Sequence, residues 1–75
     1  MQSLDRSIDV LLALASHSGT ASISDLARIT KLPPSTIHRI LGTLRRYDFV
    51  TQDPGSDRHY RLGAGLVSLG LAAMQ

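Results

Sequence analysis

Between Pro33 and Tyr47 the chain gathers Ser35, Thr36, His38, Arg39, Thr43, Arg45 and Arg46 with no acidic residue among them. Short hydroxyl side chains, an imidazole and arginine forks are the groups that hydrogen-bond base edges and neutralise phosphates. Unpaired backbone N–H groups in a first helical turn, here at Ser35 and Thr36, also favour a phosphate oxygen. Plainer roles exist for each residue. Ser35 and Thr36 can hydrogen-bond a helix start, Arg39 can be a solvated surface residue, and Arg45 and Arg46 suit the negative end of a helix dipole. Further on, Ser56, Arg58 and Arg61 accompany a turn. Arg58 lies nearest its tip and would reach an adjacent minor groove, whereas Arg61 would pack along a sheet.

Catalytic or metal chemistry finds no comparable grouping. His17, His38 and His59 fall 21 residues apart each time, with no i, i+4 pair and no Cys or Glu anywhere in the chain to complete a ligand set. Neither a nucleophile elbow nor a Gly-rich phosphate loop is present. The reading is of a protein that is not an enzyme and needs no cofactor or metal.

The elements that must position these groups follow from the pattern. Leu4, Ile8, Leu11, Leu12 and Ala15 recur with helical spacing, which predicts a first helix from Ser3 to His17, capped by Ser3, closed by Gly19 and buried on that face. Ser24 before Asp25 reads as the cap of a second helix of about two turns, with Ile23 stapling its start. Pro33 forces that helix to end, and Pro34 suits the first position of a third, which runs to about Tyr47. Ile37, Ile40, Leu41 and Leu44 share one face of it, leaving the polar and basic residues on the other. Phe49 to Thr51 and His59 to Leu62 then read as two strands joined at Asp53-Pro54-Gly55-Ser56, a type II turn. Beyond Gly63 and Gly65 a last helix reaches the end of the sequence, apolar on both sides, more than so small a core could cover.

With 75 residues, 43% of them hydrophobic, the chain has room for one small globular domain and no second. It has no cysteine, so packing alone must stabilise it, as suits the cytosol. The longest apolar run, Val10 to Ala15, is far too short to span a bilayer, and no targeting segment precedes it. The net charge of +2 is unevenly spread: residues 1–27 set Arg6 against three aspartates, while residues 28–61 carry seven bases against three acids. That regional basicity points to an anionic polymer as partner. The predicted fold is mainly α with a small β-hairpin, a winged helix-turn-helix with a three-helix core, a wing and a C-terminal helix.

Leu4-Asp5-Arg6 with Ile8 to Leu11, Ile23 to Ala27, Leu32-Pro33-Pro34-Ser35-Thr36-Ile37-His38-Arg39-Ile40-Leu41, Thr43-Leu44 and Tyr60-Arg61-Leu62-Gly63 resemble the DNA-binding domain of IclR-type bacterial transcriptional regulators. The resemblance extends from about Ser3 to the end of the chain. It implies residues 1–63 as a winged helix-turn-helix and residues 64–75 as the start of a linker helix towards an effector-binding domain that is absent here. It further implies a cytoplasmic repressor or activator that binds double-stranded operator DNA as a homodimer, through helix 1, the linker helix or both, and meets a small-molecule effector only through the missing domain. The DNA contacts expected from residues and resemblance together are Ser24, Pro34, Ser35, Thr36, His38, Arg39, Thr43, Arg46, Ser56 and Arg58. Arg39 remains open between a guanine fork and a flanking phosphate.

Two residues depart from the family pattern: Asp48 stands where the third helix usually ends in Gly, and Gly42 stands inside that helix where a larger residue is usual. The rival reading is a winged helix that docks another protein without touching DNA. Such modules tend to keep an acidic or apolar outer face on the third helix, unlike the basic one here.

Overall fold

The computed structural model describes residues 2–75. In chain order it runs α1 (Gln2–Ser16), β1 (Thr20–Ser22), α2 (Ile23–Thr30), α3 (Pro34–Arg46), β2 (Val50–Asp53), β3 (Ser56–Leu62) and α4 (Ala64–Ala73). Among the described residues no helix is long and apolar enough to cross a membrane. The predicted hairpin is β2–β3, but the sheet has a third strand: β1 pairs antiparallel with β3, Ala21 opposite Tyr60, so β3 lies in the middle. Ala21 and Tyr60 are both buried, tying the wing to the helical core.

That core is built from Val10, Ala13 and Leu14 of α1, Leu26 of α2, the four apolar residues of α3, Ala21, Val50 and Tyr60. The α3 face is the predicted one; the α1 face is not. Leu4, Ile8 and Leu12 are 58, 46 and 63% exposed, Ala15 is exposed, and only Leu11 of the predicted face is partly buried. The second half of α1 is apolar almost all round, so two helical series compete there. The one containing Val10, Ala13 and Leu14 is selected by packing against the other elements and not by the local pattern. Ser3, the expected cap of α1, lies within the helix, where its carbonyl accepts from Ser7 Oγ at 3.0 Å.

Ser22, not Ser24, caps α2. Its hydroxyl accepts from the Asp25 N–H at 3.1 Å while the Asp25 carboxylate accepts from the Ser22 N–H at 3.0 Å, a reciprocal capping box. Ile23 is then the first helical residue and not a staple. The Ser22 backbone N–H, followed by its hydroxyl, holds the Asp25 carboxyl below the usual carboxylate range. This contribution to stability is complete above that range and is lost as the pH falls from it through the lowered folded-state value.

α2 ends at Lys31, whose left-handed φ of 64° returns its N–H to the Ala27 carbonyl. α3 ends in a Schellman motif: Phe49 N–H reaches the Leu44 carbonyl and Asp48 N–H the Arg45 carbonyl, with Asp48 at φ 59°. An aspartate thus takes the left-handed position that glycine usually fills. At the hairpin Gly55 has no positive φ, so the turn is not type II; the Asp53 carboxylate accepts from the Gly55 N–H at 3.0 Å and closes it instead.

Gly63 and Gly65 do more than interrupt a strand. The Gly63 N–H bonds the Phe49 carbonyl and the Gly65 N–H the Asp48 carbonyl, both at 2.8 Å, seating the start of α4 on the end of α3. A Cβ on Gly65 would lie 2.7 Å from the Tyr47 carbonyl oxygen, and one on Gly63 would overlap the Asp48 carbonyl. Because backbone blocks both positions, Gly63→Ala should cost about 1–3 kcal/mol in denaturant unfolding. Gly70→Ala, at a helical position with open space around it, should instead gain up to about 1 kcal/mol. Equal midpoints for the two variants would contradict the close packing at Gly63.

Candidate nucleic-acid interface

α3 is presented by its own chemistry. Pro34 occupies the first helical position, where its missing N–H costs nothing, and the Pro33 carbonyl accepts from the Ile37 N–H at 3.1 Å. With Ile37, Ile40, Leu41 and Leu44 buried, the residues at Ser35, His38, Arg39, Gly42, Arg45 and Arg46 follow one another at helical spacing along the exposed side. Thr36 is half-buried on the flank, and Thr43 is exposed with its hydroxyl 3.4 Å from the Arg39 carbonyl. Of the predicted residues, Pro34, Ser35, Thr36, His38, Arg39, Thr43 and Arg46 therefore all lie on or beside one helical surface.

Two grooves bring further predicted residues together. One lies between α1 and α3 and is lined by Ser3, Leu4, Arg6, Ser7, Arg39, Ile40 and Thr43. The other lies between the start of α2 and the wing, lined by Ser22, Ile23, Ser24, Asp57, Arg58 and Tyr60. Ser24 and Arg58, far apart in sequence, meet in that second groove. Arg58 thus faces α2 from the side of the wing, with Asp57 beside it, and does not extend the wing tip at Pro54-Gly55. Ser56 is drawn inward: its hydroxyl accepts from the Arg58 N–H at 3.2 Å and sits 3.1 Å from His59 Nδ1, which makes it a brace of the hairpin.

The charges sort further. Arg61 lies 3.7 Å from Asp53, and Arg28 lies 3.4 Å from Asp25. Arg6, Lys31, Arg39, Arg45, Arg46 and Arg58 have no ion pair among the described residues and are exposed. Arg46 also lies over the Tyr47 ring, 5.9 Å from its centroid. Arg6 is the residue the sequence reading missed, because it sits among the aspartates of an acidic segment. No linear signal marks it, because only the packing of α1 on α3 brings Arg6 beside Arg39. Among the described residues no three His, Cys, Asp or Glu side chains cluster as a metal site would need.

Gly42 lies in the middle of the exposed arc, and a Cβ there would meet nothing within 4 Å. No neighbouring helix of the chain therefore requires it. Gly42→Ala should raise stability by about 1 kcal/mol, read as a higher denaturant midpoint at unchanged slope. A lowered midpoint would mean that the helix backbone there is not free to accept a side chain.

Comparison with known proteins agrees with this geometry. Residues 3–54 match the family described as the IclR helix-turn-helix domain. The glycerol operon regulatory protein of Streptomyces griseus is 41% identical over 70 residues, covering 93% of this chain and 27% of that protein. The transcriptional repressor IclR of Escherichia coli K12 is 35% identical over 75 residues, all of this chain and 27% of the repressor. The crystal structure of Pseudomonas aeruginosa HmgR superposes with a TM-score of 0.89 at 39% identity, over 99% of this chain and 31% of that one. The chain thus spans about a quarter to a third of the length of these relatives.

Proposed function

The chain belongs to the IclR helix-turn-helix family, and from that premise we propose that it reads operator DNA, with α3 in the major groove and the wing and the start of α2 on the flanking backbone. The observation that carries this is the acid-free exposed side of α3, whose arginines no carboxylate engages among the described residues. In this reading Ser35, Thr36 and His38 reach base edges from the first turns, where groove insertion brings side chains closest. Arg46, and Ser24 with Arg58 across the second groove, hold phosphates; Ser56 keeps the wing in shape. Nothing in the site favours a protein-docking module over this.

The reading extends to the assembly. Ile8 and Leu12 on α1, Val67, Leu69 and Leu71 on α4, and Met74 at the C-cap of α4 are apolar and exposed, and α4 buries no residue. We infer that these helices join two copies in a cytoplasmic homodimer, with residues 1–63 as reading head and residues 64–75 leading towards an effector-binding domain. Selection of duplexes from a random pool tests the central claim. A recurrent sequence bound better than its scrambled counterpart is expected, and a pool that shows no enrichment would overturn the reading.

A further inference from the structure

We propose that the groove between α1 and α3 seats a single DNA phosphate held jointly by Arg6 and Arg39, so that Arg39 is a phosphate contact and not a base reader. The proposal rests on the DNA-binding reading above and adds a site to it.

The groove brings two guanidinium-bearing side chains from different helices to one opening, over an apolar floor formed by Leu4 and Ile40. No carboxylate lines it, and neither arginine has an ion pair among the described residues. The neighbouring acid Asp9 lines a different groove, with Leu12 and Ile29. Two like charges converging on one opening repel each other, and an anion between them turns that cost into attraction. The groove's hydroxyls add little to this: Ser7 Oγ already donates to the Ser3 carbonyl, and Thr43 Oγ1 lies 3.4 Å from the Arg39 carbonyl. What the groove offers is paired positive charge in planar forks, which is what a phosphate takes up best.

Its position points to the source of the phosphate. Arg39 lies on the exposed α3 surface, one helical turn from Ser35 and Thr43 and next to His38, and it also lines the groove towards α1. A duplex that receives Ser35 and His38 in its major groove has a backbone strand bordering that groove on each side. The strand on the α1 side passes over Arg39 and within reach of Arg6. Because Arg39 lines the groove towards α1, its fork is assigned to that strand's phosphate and not to a guanine at the groove floor.

The test uses the full chain and its Arg6→Ala, Arg39→Ala and double variants. Each is titrated against a selected operator and a scrambled duplex over a series of salt concentrations. Both arginines are exposed, so thermal unfolding should be unchanged and serves as the folding check. Each single variant should lose about tenfold on both duplexes alike. The double variant should lose less than the product of the two, because both side chains act on one phosphate. Its salt slope should fall by about one and no more. Losses that multiply with a slope lowered by two would mean two separate phosphates and overturn the proposal. So would an unaffected Arg6→Ala, or an Arg39→Ala loss confined to the operator. A wild-type chain that binds neither duplex would overturn the DNA-reading function itself, which separates the two failures.

Discussion

Raising the salt concentration from 50 to 200 mM should weaken binding of this chain to duplex DNA by about 10²–10³-fold. The size follows from the sorting of charges. Arg28 and Arg61 are paired with Asp25 and Asp53 and are left out of the count. Arg6, Lys31, Arg39, Arg45, Arg46 and Arg58 remain exposed and unpaired among the described residues. With Arg6 and Arg39 on one phosphate, the six cations neutralise about four or five phosphates, and the logarithm of affinity falls with a slope of about −0.9 for each. Anisotropy titrations at several salt concentrations measure the slope directly. Arg58→Ala should lower it by about one on any sequence, whereas Arg61→Ala should leave it nearly unchanged, since that side chain is turned to Asp53. A slope near zero for the wild type would remove the phosphate contacts and the DNA reading with them.

How much of this could be read from the sequence depends on whether the signal was local. The two prolines and a one-sided apolar pattern define α3 from Pro34 onward, because backbone restriction and helical period act within a few residues. The same reasoning misplaced the buried face of α1. Val10 to Ala15 is uniformly apolar, and only the packing of Ala13 and Leu14 against the rest selects a side. The cap of α2 was legible and misread: Ser22-Ile23-Ser24-Asp25 contains the serine three residues before an acid that a capping box requires. β1 is three residues long and exists only because β3 pairs with it from nearly forty positions away, so no local pattern announces it. Gly63 and Gly65 were visible as interruptions, but their purpose, letting α4 rest on the Tyr47 and Asp48 carbonyls, belongs to tertiary contact. The same division holds in the site. The α3 residues were all in view, whereas the pairing of Ser24 with Arg58 and of Arg6 with Arg39 arises where separate elements meet.

Joining two copies of the chain should raise affinity for a duplex with two half-sites by about 10²–10⁴-fold over the single chain, without any new DNA contact. One reading head offers a single short recognition helix and a wing, so its affinity is limited and its salt sensitivity high. A second head held nearby binds at a high effective concentration once the first is seated. The exposed Val67, Leu69, Leu71 and Met74 make α4 the natural place to join them, since 81% of Met74 and 53% or more of the others face solvent in the single chain. The longest dimension of the chain is 37 Å, close to the ~34–36 Å between half-sites one helical turn apart, so two copies side by side can each meet one. A parallel dimeric coiled coil fused after Gln75 supplies the join, and the single chain serves as reference. The gain should be periodic in the spacing of the half-sites: inserting about five base pairs rotates the second site to the far side of the duplex and should abolish it, and inserting a full turn should restore part of it. A fused pair that binds no better than the single chain at any spacing would mean that the heads cannot engage one duplex together, and the dimeric arrangement proposed for α1 and α4 would fall.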